Sequence, residues 1–259
     1  MRKYIISGRH LQHIGYVNDK AYVNYCLMYY QLDMSQVDSV FGFYDHFLPL
    51  YGGRAWQSRD TGLSLTKIKA LNSYGIGFGL AISGSFFTED AYSQSIDTIL
   101  MLMDLSDKNY LIISNDQLAL RIKENYPHIR TKYSAISDVE DVEGVIGALF
   151  LYDEIALHID KNYNHELLMS IPEDIKDRVI VFGNGTCAAH CRNKICYVNI
   201  SRRHLGLSTA NYGCIKGLDR ANGKPVPGNE YYEFDLTHER FDGFNTIKLI
   251  KPLTGIIKE

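Results

Sequence analysis

Three cysteines fall within ten residues in the segment Phe182-Gly-Asn-Gly-Thr-Cys187-Ala-Ala-His-Cys191-Arg-Asn-Lys-Ile-Cys196. Thiolates at this Cys-x3-Cys-x4-Cys spacing can reach one zinc ion or an iron-sulfur cluster, and the upstream glycines leave backbone amides free to hydrogen-bond to sulfur. Cys214 stands downstream as a fourth candidate ligand. The plainer reading is that buried cysteines act as small apolar residues, or that a close pair forms a redox-labile dithiol. Cys26, among Tyr25, Tyr29 and Tyr30, reads as packing. A second set comprises His10, His46 and His158, with Asp45 beside His46. Converging imidazoles can bind a divalent metal or shuttle protons, whereas each alone serves as well as a hydrogen-bonded packing residue. The turn Leu48-Pro-Leu-Tyr-Gly-Gly-Arg54 offers amides and a guanidinium to an anion or carboxylate. Asn115, Asn184 and Lys248 complete the candidate substrate contacts, Asn115 being equally placed to cap a helix.

Positioning such groups requires a scaffold, and its signal is strong. Eight short runs, nearly continuous in apolar or small residues, recur along the chain: Tyr4–Ser7, Ser39–Tyr44, Ile76–Ile82, Tyr110–Ser114, Arg130–Ile136, Glu154–His158, Val179–Phe182 and Thr246–Ile250. Runs of this kind mark parallel strands covered on both faces. Between them lie helical patterns such as Ser64–Asn72, Ser93–Met103 and Asn115–Glu124. The alternation predicts a single α/β domain over residues 1–259, a (β/α)8 TIM-like barrel, with a doubly wound open sheet as the alternative. In such a barrel, chemistry gathers at the carboxyl ends of the strands, and the residues following the runs include His10, Asp45, His46, Asn115, His158, Asn184 and Lys248. Residues 201–243 are rich in Gly and Pro and read as a long lid-like loop before the last strand. Nine residues follow Ile250, too few for a full eighth helix, so one flank is expected to be open or closed by a second copy in a homo-oligomer.

Composition narrows the partners. The chain has 259 residues, 46% hydrophobic and 22% charged, with a net charge of -3. Disordered and fibrous classes are excluded, and the absence of a basic surplus argues against a nucleic-acid partner. No stretch approaches the roughly 18 apolar residues of a membrane helix, and the amino terminus lacks a signal-peptide pattern. Five cysteines without an export signal point to a reducing, cytoplasmic setting. A small-molecule or peptide substrate is the expected partner.

Several segments, taken in order, resemble the collagenase-like peptidase superfamily of TIM-type barrels, which includes oxygen-independent hydroxylation proteins. They are Phe41 to Ala55, Gly75–Ile82, Tyr110–Asp116, Lys132–Ile136, Tyr152–His158, Asn184-Gly-Thr-Cys-Ala-Ala-His-Cys-Arg192 and Arg240–Ile250, spanning roughly residues 37 to 251. The similarity is closest to a short branch keeping a Cys-x3-Cys pair after the seventh strand. The resemblance implies a peptidase-like or hydroxylase-like barrel, a hydrolase or a carrier of a thiolate-held centre. Cys187 and Cys191 correspond by motif, with Cys196 and Cys214 as replacement ligands. Three readings compete: a barrel enzyme with such a centre; an acid-base or metal-dependent enzyme using Asp45, His46 and His158, with structural cysteines; and a non-catalytic binding or assembly protein on the same scaffold.

Overall fold

The computed structural model describes residues 2–52, 62–186, 195–207 and 231–255, apart from the side chains of residues 186, 195 and 196. Eight parallel strands form the barrel: β1 (Lys3–Ser7), β2 (Val37–Tyr44), β3 (Gly77–Ile82), β4 (Tyr110–Ile113), β5 (Arg130–Tyr133), β6 (Glu154–Ala156), β7 (Val179–Phe182) and β8 (Thr246–Leu249). Each run expected from sequence is a strand. The sheet closes because β1 pairs with both β8 and β2, Ile5 lying opposite Lys248 on one side and Ser39 on the other. The predicted closed barrel is therefore the observed fold, and the open sheet is not.

Seven helices follow the first seven strands: α1 (Asp19–Tyr30), α2 (Leu65–Ser73), α3 (Glu89–Met103), α4 (Asp116–Asn125), α5 (Val142–Leu151), α6 (His165–Ser170) and α7 (Ile195–His204). Their starts are set by side chains that accept otherwise unpaired amides. Asn18, Thr88, Asn115 and Asp141 take the amides of Ala21, Ala91, Leu118 and Gly144. Thr88 with Glu89 and Asp90 in the first turn starts α3 one turn earlier than its apolar stripe predicts. After β8 the described residues, which run to 255, add no helix.

The outward faces of the strands carry the core. Ile6, Val40, Phe78, Leu80, Leu111, Ile113, Ile155, Val181 and Ile247 are all buried against the helices. The segment expected as a loop contains regular elements among its described residues: α7 runs to His204, and strand Tyr231–Glu233 pairs antiparallel with Asn184–Thr186 just beyond β7. No helix among the described residues is long and apolar enough to cross a membrane.

Candidate active site in the barrel lumen

A parallel strand buried on its helix face has one place left for a charged side chain, the lumen. Inward positions alternate with the core residues, and β4 to β6 fill them with Tyr110, Lys132 and Glu154. Tyr110 and Glu154 are the first residues of their strands, so this group lies toward the amino ends. Lys132 Nζ lies 2.9 Å from Glu154 Oε2, and Arg130, at the amino end of the same strand, reaches Glu154 Oε1 at 2.6 Å. The Lys132 ammonium also sits 4.0 Å from the centroid of the Tyr110 ring. Tyr110, fully enclosed, has its phenol pushed far up by burial, so it stays a neutral donor. Its hydroxyl meets Ser39 Oγ at 2.9 Å, and Ser39 in turn donates to Asp38 at 3.0 Å. Ser39 is on β2 and Tyr110 on β4, so the ring must cross β3. Gly79 permits this, since a Cβ there would fall 2.5 Å from the ring.

Toward the mouth the pattern changes. Lys248 is the third of four residues in β8 and only 8% exposed. Its Nζ faces the rings of Phe41 on β2 and Phe182 on β7, at 4.2 and 5.6 Å from their centroids. No carboxylate pairs with it among the described residues. Burial, followed by the like charge of Lys132, lowers its pKa to about 8. Phe41 keeps some exposure although it faces inward, so solvent reaches this depth.

His158 continues the inward alternation of Glu154 and Ala156 and is 4% exposed. Its Nδ1 lies 3.3 Å from the Asp160 amide and 3.4 Å from Asp160 Oδ2, fixing the turn Ile159–Tyr163. The buried Nε2 has no hydrogen-bond partner among the described residues. The other sequence candidates occupy the same rim in different ways. His10 follows β1, half-buried 5.7 Å from the Tyr29 ring, its pKa lowered by burial and then by Arg9 and Lys251. Asp45 and His46 follow β2 and hydrogen-bond to each other at 2.9 Å, with the His46 side chain 71% exposed and stacked on Tyr44. Asn115 caps α4 and donates to the Ser85 carbonyl. Asn184 uses its amide on the Tyr231 hydroxyl, the Lys251 carbonyl and the Ile250 amide, tying β8 to the strand pair over the rim.

Among the described residues, no group of three His, Cys, Asp or Glu side chains stands close enough to hold a metal ion. His10, His46 and His158 therefore do not form the metal triad their strand-end positions allowed. Arg54, Cys187, Cys191 and Cys214 lie outside the described residues, as does the Cys196 side chain. Gly52, ahead of Arg54, packs against the Ser83–Gly84 backbone at the end of β3 so closely that a Cβ would overlap it, and Gly84 donates to the Leu50 carbonyl. Sequence reading passed over Ser39, Tyr110, Lys132 and Glu154. The signal was present: Arg130, Lys132 and Glu154 are charges inside runs that otherwise read as buried strands.

A closed (β/α)8 barrel whose lumen holds charged residues defines a TIM-type barrel, a fold whose sites gather at the carboxyl ends of the strands. Among solved structures, the U32 peptidase Mk0906 shares this fold, with a TM-score of 0.57 over 98% of this chain and 94% of that one, at 11% identity. No protein-family profile and no curated protein sequence matches the chain.

Proposed function

We propose that this chain is a barrel enzyme acting on a small organic substrate, or a short peptide, whose carboxylate is received over Lys248. The observation behind this reading is an ammonium more than nine-tenths buried among aromatic rings with no anion beside it among the described residues. Near neutral pH it is mostly protonated, and an uncompensated buried charge is stabilised by any anion that reaches it. The buried Nε2 of His158, two residues beyond β6 and without a partner among the described residues, supplies a second polar contact for a substrate. Peptides enter through the name of the structural neighbour, and a peptide's terminal carboxylate offers the same chemistry. Thermal unfolding of the full chain at pH 7 with acetate, succinate or a dipeptide tests the reading. A ligand at 100 times its Kd stabilises by about 2.7 kcal/mol. The wild type is expected to respond and Lys248→Met not to; a wild type indifferent to all three refutes it.

The thiolates motivate a second element of this reading. β7 leads through Gly183 into Asn184–Thr186, which is held at the rim by the Tyr231–Glu233 strand, and Cys187 is the next residue. Cys187, Cys191, Cys196 and Cys214 are the proposed ligands of an iron-sulfur cluster or zinc, soft thiolates being the donors such centres prefer. A cluster would supply electron transfer, and zinc a Lewis acid. Elemental analysis of protein purified without oxygen is expected to find stoichiometric iron or zinc that is lost in Cys187→Ser. Metal-free protein removes this element while leaving the Lys248 site standing.

A further inference from the structure

We propose that Lys248 is a carbonyl-capturing nucleophile, its Nζ forming an imine with an aldehyde or ketone carbon of a small substrate. This deepens the reading of the lumen above and rests on substrates reaching Lys248 from the mouth. A side chain whose sole task is to present a positive charge is best left solvated or backed by a carboxylate. Among the described residues Lys248 has neither. Glu154, the carboxylate of the layer beneath, is occupied by Lys132 and Arg130. The rings of Phe41 and Phe182 cover the Lys248 ammonium and attract it through their faces, as Tyr110 does Lys132, but they supply no counter-charge and no hydrogen-bond acceptor to offset its burial. The charged group nearest in effect is Lys132 from β5, which repels, while β2 and β7 contribute uncharged rings. Burial and this repulsion act in one direction, toward the free amine that attacks carbonyls, and they set its midpoint at about 8.

The step balances without a further reactant. The amine lone pair adds to the carbonyl carbon, giving a carbinolamine. Uptake of one proton and departure of the oxygen as water then leave an iminium in which nitrogen keeps one hydrogen. The rings that exclude water favour that loss and protect the product from hydrolysis. A short aliphatic carbonyl compound suits walls made of Phe41 and Phe182.

The probe is propanal with sodium cyanoborohydride, applied to the full chain between pH 6 and 10 and read by peptide mass mapping. At pH 8 an amine with this midpoint has on the order of a hundredfold more of its population unprotonated than a surface lysine. Lys248 is therefore expected to be reduced to its secondary amine well before other lysines, with a labelling midpoint near 8. Lys132→Met removes the like charge and is expected to move that midpoint upward, a shift independent of whether Lys248→Met folds. Stabilisation by acetate should show the opposite profile, fading above pH 8 as the ammonium is lost. If Lys248 is labelled no faster than surface lysines while acetate still stabilises, the imine is overturned and the carboxylate reading survives. If neither response occurs, both fall.

Discussion

Lys132 and Lys248 are both buried in the lumen, 3% and 8% exposed, and they are treated in opposite ways. Lys132, toward the amino ends, has a carboxylate at 2.9 Å, an aromatic face at 4.0 Å and a second cation sharing the same carboxylate. Lys248, nearer the mouth, has rings alone among the described residues. A fold that needed only to fill its lumen would place Met or Leu at 248, since an apolar side chain there avoids the cost of burying a charge. The contrast separates a floor, in which every polar group is satisfied, from a working layer whose amine and imidazole are left for something else to satisfy.

The largest effect is expected from breaking the floor. In Glu154→Gln, Lys132 keeps its buried position and loses its counter-charge, and Arg130 loses its partner as well. Removing one member of a buried pair costs about 3–5 kcal/mol. Equilibrium unfolding in urea is expected to show a lower midpoint of that size with an unchanged slope. An effect below about 1 kcal/mol, the scale of an exposed ion pair, would show that the floor is solvated and the contrast with Lys248 unfounded.

Removing Lys248 should do the reverse. Its folded midpoint of about 8 lies below its unfolded value near 10.5, so the unfolded chain binds more protons between these pH values. Stability then rises with pH across that window, and the burial penalty is present in full below pH 8. Lys248→Met is expected to stabilise the protein at pH 7 by about 3 kcal/mol, equivalent to roughly 1.4 kcal/mol per pKa unit. That corresponds to a rise in Tm of roughly 6–12 °C in a chain of this size. The gain should vanish by about pH 10.5, where the wild-type penalty is relieved. A variant less stable at pH 7 would mean that the ammonium contributes to folding and is not held in reserve. Gained stability together with lost carboxylate response would be the signature of a functional residue kept at a cost.

How far these features could be read without coordinates follows from the same division. The strands were legible because parallel strands under helices must be apolar on their outer faces, and Ile6, Val40, Leu80, Leu111 and Val181 display it. Lys248 and His158 were legible as strand-end residues, although not as the unpartnered ones. The floor was missed because Lys132, Glu154 and Tyr110 sit inside strands. Their pairing depends on register across β4, β5 and β6, which no local pattern encodes. Strand ends were overextended at β5 and β6, where Ser134–Ile136 and Leu157–His158 continue the apolar run after the ladder stops. Asn184 drew notice for a strand-end amide; the structure shows that amide bound to Tyr231, Lys251 and Ile250, partners set by the return of a distant strand.

The smallest effect concerns the support beneath both lysines. Gly79 in β3 has an ordinary negative φ, so its role is space and not backbone freedom. A Cβ at that position would stand 2.5 Å from the Tyr110 ring, which has to tilt away to admit it. Tilting opens the 2.9 Å bond to Ser39 and withdraws the ring face from Lys132. Overpacking of this kind costs about 1–3 kcal/mol. Gly79→Ala is expected to lose that much in urea unfolding, and Tyr110→Phe less, because Ser39 keeps its bond to Asp38. The double variant Gly79→Ala, Tyr110→Leu restores room for the methyl group and should recover part of the loss. Recovery would show that the glycine is there to let one aromatic ring span the strand between its two hydrogen-bonding neighbours. A loss that is unchanged in the double variant would place the cost in β3 itself, and the floor would then owe nothing to Gly79.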